Sequence, residues 1–434
     1  MSLSETLSYV VNRYWQCQLL WEYENELHWK FILIFPDASK RENKRTLSLD
    51  FLACKAGRRE FIMINKNNWE ETKIKFTNWW AHKNVGRPLM MVIAKKEGAD
   101  DPLPEEFVYK TMDEKYRNAE HMIKRYQHYC ETHEFLAESF PNMSADFGPG
   151  SVASYIGSDI VFNEDTVWFN EFVEEWADLP KIEFDPENKW WKEHYALVKK
   201  ARELAGDDFY IGIPDLMENI DVLASLRGAQ KMIFDMIDEP EEVEERIKQI
   251  SDIYFEYFDR FYDVVKDAKG DSCYTVFQIW GKGKTAKLQC DFSAMMSPTN
   301  FRDFIQEPLR EQAKKLDNIL YHLDGPDAIK HMDAIMEIDE IDALQWTSGD
   351  HGPDGTLEDW YVIYDKARKA GKSLWIKVYT GELDDWIAGV DKLVQRYGSH
   401  SMFLYFPEMP RADADKLLAH AEKNWSDIKG SFEG

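Results

Sequence analysis

The sequence predicts an α/β protein built as a (β/α)8 TIM barrel with an N-terminal helical extension. Short apolar runs alternate with amphipathic helical stretches about eight times along the chain, the pattern of a parallel sheet wrapped by helices. Nearly every run ends in polar or aromatic residues, as the active face of a barrel requires. The Gly-rich turn that usually follows the first strand of an open doubly wound sheet is missing.

Residues 1–85 read mainly as helices around the charged stretch PDASKRENKR and form the predicted extension. Within them, NKNNWEETKIKFTNWWAHK has apolar residues at helical spacing and stops at the Gly86-Arg87-Pro88 break. Residues 86–434 form the predicted barrel. PLMMVIA (88–94) is a continuous apolar run, as expected of a strand covered on both faces. A helical stretch, EKYRNAEHMIKRYQHYCETHEFL, follows it. Further strands are expected at TVWF (166–169), DFYIGIP (208–214), CYTVFQIW (273–280), NILYHL (318–323), DALQW (342–346), SLWIKVY (373–379) and SMFLYF (401–406).

With 79 acidic against 53 basic residues the chain carries a formal charge of −26. That balance excludes nucleic acid and anionic membranes as partners, because both need a positive surface. The five cysteines are scattered without a Cys-x-x-Cys pair, which points to a reducing cytoplasm. No signal peptide is visible, and no segment approaches the roughly 20 apolar residues of a membrane span. Aromatic residues make up 14 % of the chain, more flat surface than a core requires, and the surplus suits a pocket for an apolar or cationic ligand.

The strand NILYHL runs into Asp324-Gly325-Pro326, so His322 and Asp324 lie two residues apart and point the same way. An imidazole beside a carboxylate suits zinc or iron, or a general acid–base pair; a turn closed by Asp-Gly-Pro is the alternative. Asp146, in ADFGPGS, precedes a tight turn and a helix start that favours negative charge. LQWTSGDHGPDG adds Gln345, Trp346, Asp350 and His351 at a strand end and its loop, and Cys290 and Asp291 stand together in QCDFSAMMSP. Gln278, Trp280, Lys377 and Tyr379 complete the expected substrate-binding set at strand ends. Gly-x-Ser-x-Gly, P-loop and His-Glu-x-x-His motifs do not occur, which argues against several hydrolase classes.

Taken in order, GRPLMMVIAKK, ADFGPGSVASYIGS, GIPDLMENIDVLASLRG, DFSAMMSPTNFRDFI, YHLDGP and LQWTSGD resemble the uroporphyrinogen decarboxylase superfamily, which also contains corrinoid-linked and cobalamin-independent methyltransferases. The resemblance covers about residues 86–408 and implies a (β/α)8 barrel with its site at the C-terminal strand ends. In the decarboxylases, arginines after the first strand bind substrate carboxylates. Here Arg87 and Pro88 match, but the first of those arginines aligns with Ala94, followed by Lys95 and Lys96, so a tetrapyrrole substrate is disfavoured. The methyltransferase branch carries a His-x-Cys zinc motif; His322 matches its His and Asp324 takes the Cys position. The resemblance therefore implies a methyltransferase acting on a small apolar or methylated molecule. Asp146, His322 and Asp324 would be catalytic, with zinc or another divalent metal at His322 and Asp324. The methyl carrier would be a corrinoid on a separate protein, and family analogy adds a homodimer. Decarboxylation of a small acid through Asp146 and the Lys95/Lys96 pair, and a ligand-binding barrel without chemistry, are the alternatives.

Overall fold

The computed structural model describes residues 66–99, 103–349 and 352–433, together with the strand segments 18–25, 28–34 and 44–47. The chain divides into two compact units, Met1–Glu60 and Phe61–Gly434. In the first, strands Gln18–Asn25, His28–Ile34 and Lys44–Leu47 form an antiparallel sheet in chain order, where helices were expected. Their residues alternate with period two: Trp21 and Tyr23 with Glu22 and Glu24, Trp29 and Phe31 with His28 and Lys30. The register sets Leu19, Trp21 and Tyr23 opposite Leu33, Phe31 and Trp29. In this segment the two-residue period, and not a helical one, decided the structure.

The second unit is a mixed α/β fold on a mostly parallel sheet. Strands Thr285–Gln289, Asn318–Asp324, Ala343–Thr347, Ser373–Lys377, Met402–Tyr405 and Leu89–Lys95 lie side by side in that order, all parallel. Met409–Pro410 adds a short parallel edge to Leu89–Lys95, and His133–Ala137 pairs with the same strand antiparallel. Helices Met332–Met336, Tyr361–Lys369 and Leu383–Tyr397 fill the connections between successive strands, as parallel crossovers require. Leu89 to Ala94 are all buried, in keeping with their unbroken apolar run. Val167–Phe169, expected as a sheet strand, pairs instead with Ile160–Phe162 in a separate hairpin. The two-residue strand Asn142–Met143 lies parallel to Tyr210–Ile211. Backbone bonds continue beyond them: Ile213 N donates to Cys273 O at 3.1 Å. On the other side the Ser139 hydroxyl bonds both Val92 N (2.6 Å) and Val92 O (2.8 Å).

Helix Trp69–Trp80 confirms its predicted apolar spacing and buries Trp69, Phe76, Trp79 and Trp80. It packs where the strands begin: the hydroxyl of Ser373, the first residue of its strand, donates to Trp79 O, and Phe76 meets Phe403 at 5.7 Å. Trp280, expected in a pocket, is fully buried there, edge-on to Trp69 at 5.6 Å, and its carbonyl accepts from Trp80 Nε1. Arg87 is likewise structural. Its guanidinium makes two bonds to buried Glu138 (2.8 and 3.2 Å) and one to Glu422. Glu138 also accepts from Lys75 and from Met90 N, so the ion pair pins the first strand of the sheet to its neighbour. Among the described residues no helix is long and apolar enough to cross a membrane.

Replacing Trp280 by Ala leaves a cavity in this cluster and should lower unfolding free energy by about 3–5 kcal/mol in urea titrations. A change under about 1 kcal/mol would show that the ring is not part of the core.

Candidate metal centre

Parallel register places Gln289, His322 and Gln345 directly beside one another on three adjacent strands. Along its strand His322 alternates with buried Tyr321 and Leu323, so it and Asp324 share the other face and are only partly buried. His322 Nδ1–H donates to Gln345 Oε1, and the Gln345 amide donates onward to Thr347 Oγ1 at 2.8 Å. With Gln345 oriented this way Nε2 of His322 keeps its lone pair, the tautomer a metal ligand needs. Phe277 lies 5.3 Å from the imidazole, ring centre to ring centre, and its own backbone carbonyl accepts from Trp375 Nε1.

Asp291 completes the group: one ligand atom each from Asp291, His322 and Asp324 lie within 4.8 Å of one another. The loop after Gln289 delivers Asp291 because the Asp221 carboxylate accepts from both Asp291 N (2.9 Å) and Phe292 N (2.8 Å). Gln289 Nε2 donates to Asp291 Oδ2 at 2.9 Å, which orients that carboxylate. Behind Gln289 stands Lys287, 2 % exposed, donating to Gln289 Oε1 and 2.9 Å from Asp215 Oδ1. Burial opposes the Lys287 charge, but Asp215, Glu218 and Asp291 outweigh it and hold the ammonium above the usual lysine range. Burial also pushes Glu218 up to about 8 and Asp221 up to about 7. Glu218 Oε1 accepts from Gln289 N at 2.7 Å. Two carboxylates and one imidazole in a partly open setting make a donor set for a divalent cation, with His322 oriented by Gln345 and Asp291 by Gln289 and its loop.

Asp291 appeared in the sequence only as a neighbour of Cys290. The signal for it was the alternation Lys287, Gln289, Asp291, which aims three polar residues to one side of a strand end. Cys290 itself is buried, and burial together with the Asp221 and Asp291 carboxylates pushes its thiol well up, so it stays protonated. Gln345 is 1 % exposed and acts on His322. Trp346, the next residue, points to the opposite face and packs against Trp360 at 5.1 Å. Gln278, in a left-handed conformation (φ 52°), accepts from Asn142 Nδ2 at 2.7 Å. Lys377 and Tyr379 are exposed at the end of their strand, with the ammonium 5.4 Å from the tyrosine ring. Lys96 donates to the carbonyls of Cys130 and Glu131. Asp350 and His351 lie outside the described residues.

Asp146 follows the strand Asn142–Met143, and its side chain is 13 % exposed. Its carboxylate accepts from Gly148 N (3.0 Å), Asp215 N (2.6 Å) and the Ser144 hydroxyl (3.4 Å), and not from the helix start the sequence suggested. Gly148 is obligatory in this turn: at φ +92° a Cβ would lie 2.3 Å from the Val167 side chain. His194 stands 3.8 Å from Asp146, yet burial pushes its pKa down to about 3. It is neutral, donating from Nε2 to Ala145 O and accepting the Tyr155 hydroxyl at Nδ1. Asp215 links the two regions, since its N–H reaches Asp146 and its carboxylate reaches Lys287.

No protein-family model matches the chain, and no curated protein is similar to it. Among solved structures the chain is similar in fold to a methyltransferase from Methanosarcina mazei, with a TM-score of 0.53 at 13 % identity over 81 % of this chain and 98 % of that one. The class so defined is a mixed α/β fold on a mostly parallel sheet, compatible with a TIM-barrel-like architecture.

Burial pushes the Asp146 carboxyl up to about 7, against the three donors that favour its ionised form. The unfolded side chain titrates near 3.9, so between these values the folded state holds a proton the unfolded state lacks. Its stabilising contribution is complete below about pH 4 and is lost as pH rises to 7. Asp146→Asn cannot titrate. The stability of wild type minus that of the variant should therefore fall steadily between about pH 4.5 and 7.5, and a flat difference in urea titrations would contradict the burial argument.

Proposed function

We propose that this chain is an enzyme of methyl transfer, acting on a small apolar or methylated molecule with a divalent metal held by Asp291, His322 and Asp324. The observation that carries the reading is the convergence of these three donors within 4.8 Å at the C-terminal ends of parallel strands. The fold likeness to a methyltransferase supports the same class, and nothing comparable supports a carboxy-lyase. Two carboxylates and an imidazole form a harder donor set than thiolates, suited to zinc, iron(II) or manganese(II). When bound, such an ion acts as a Lewis acid that lowers the pKa of a coordinated nucleophile.

In this reading Gln345 holds the His322 tautomer, and Gln289 with Lys287 behind it aims Asp291. Asp146 holds or moves a proton near neutral pH. Gln278, Lys377 and Tyr379 contact substrate, while Trp280 and Trp346 support the site from the core. The methyl carrier is a corrinoid on a separate protein. The sheet closes into a (β/α)8 barrel, a reading supported by the bonds from Ser139 to Val92 and from Ile213 to Cys273. A cytoplasmic homodimer belongs to the same proposal; among the described residues Cys273 and Cys290 are buried thiols, in keeping with a reducing compartment.

Protein purified without chelators should contain about one divalent ion per chain by mass spectrometry, and His322→Ala should lose it. Gln345→Leu should bind the ion 10–100-fold more weakly, roughly the cost of losing a partner behind a ligand. With methylcobalamin as donor and a thiol as acceptor, loss of the methyl–cobalt absorbance should require the metal. Wild-type protein that takes up no divalent ion and leaves methylcobalamin unchanged even when the ion is supplied would overturn the proposal in favour of a ligand-binding barrel.

A further inference from the structure

A cavity of about 380 Å³ beside Asp146 is walled by Tyr109, Tyr116, Tyr126 and Tyr129. None of its lining residues belongs to the Asp291–His322–Asp324 group. All four rings are only partly buried, so part of each stays accessible from the cavity, although Tyr116 also stacks on Phe162 and Tyr129 on His133. Tyr126 and Tyr129 stack on each other at 5.7 Å with planes 25° apart. The Tyr126 hydroxyl accepts from Asn142 N at 2.7 Å, so its own proton remains to be donated. The volume is at the small end of ligand pockets and suits a single ring with one substituent.

Charge selects the substituent. Lys115 and Arg125 also line the cavity, and neither has a carboxylate partner among the described residues. Arg125 lies 4.6 Å over the Tyr109 ring and spends one N–H on Phe107 O, keeping Nε and Nη2 for another acceptor. Lys115 sits 5.0 Å over Tyr116 and donates to the Glu164 carbonyl. In a chain with 79 acidic against 53 basic residues, two cations without carboxylate partners on one concave wall mark a place where an anion is meant to arrive. The one carboxyl in the wall, Asp146, has both oxygens turned to protein donors. A cationic ligand would meet repulsion from Lys115 and Arg125. An apolar one would leave their charge unanswered.

We propose that this cavity binds a single-ring aromatic carboxylate, its ring against the tyrosines and its carboxylate on Arg125 and Lys115. Isothermal titration calorimetry of the full chain with benzoate tests this directly. Cyclohexanecarboxylate serves as the non-planar anion and benzyltrimethylammonium as the aromatic cation. Benzoate should bind saturably at one site, cyclohexanecarboxylate several-fold more weakly, and the ammonium not at all. Arg125→Met, with an unchanged circular dichroism spectrum, should weaken benzoate about tenfold, the usual worth of a charge-assisted hydrogen bond. Tyr109→Leu, a second variant on the same wall, should weaken it as well. Absence of saturable benzoate binding, tighter binding of the ammonium, or an unchanged dissociation constant in both variants would overturn the proposal. The titration reads binding alone and is independent of whether His322 holds a metal.

Discussion

Parallel pairing of the strands that carry Gln289, His322 and Gln345 is the constraint on which the candidate site rests. Side chains alternate along a strand, so a slip of one residue in any of the three would turn its polar group into the core and bring an apolar neighbour to the front. The apolar neighbours Leu288, Tyr321, Leu323 and Leu344 are all buried, and their burial is what holds the register. A hydrophobic constraint thereby positions polar chemistry. His322 meets Gln345 because the residues flanking both are fixed from behind.

The second support is electrostatic, and its cost shows in the direction of the shifts. Asp146, Glu218 and Asp221 are all pushed up toward neutrality by burial, so in isolation each prefers to be uncharged. Lys287 is the counterweight, a buried ammonium against Asp215 that also bonds Gln289. Removing one partner of such a pair leaves an uncompensated charge, which is far more damaging than never having had the pair. The network thus ties the loop carrying Asp291 to the turn carrying Asp146 through Gln289, Lys287 and Asp215. Glu138 and Arg87 do similar work at the start of the first parallel strand, where the guanidinium is committed to a buried ion pair.

The aromatic surplus divides by position. The largest buried rings pack among themselves: Trp69, Phe76, Trp79 and Trp280 form a cluster at the beginning of the strands, and Trp346 faces Trp360 away from His322. Four rings that stay partly open, Tyr109, Tyr116, Tyr126 and Tyr129, stand together on the segment between Leu89–Lys95 and Asn142–Met143, around the cavity at Asp146. Tyrosine suits that place because its hydroxyl is satisfied at a wet edge while its ring remains available for stacking.

The amino-acid order was enough to identify the parallel strands from 318 to 406 and the helix over 69–80, because burial on both faces or along one stripe leaves a direct mark on apolar spacing. It also marked His322 and Asp324 as a pair, since two-residue spacing in a strand is a geometric statement in itself. In the segment 18–47, expected to be helical, the two-residue alternation prevails; charged residues between aromatic ones satisfy either period over so short a span. Lys287, the place of Asp291 beside His322 and the bond from His322 to Gln345 needed the tertiary structure. Which residue stands beside His322 is set by the register between strands more than twenty residues apart, a distance over which spacing carries no geometric information. Whether a tryptophan at a strand end faces a pocket or the core is decided by what packs against it. For Trp280 that partner is a helix two hundred residues earlier in the chain, close to it only after folding.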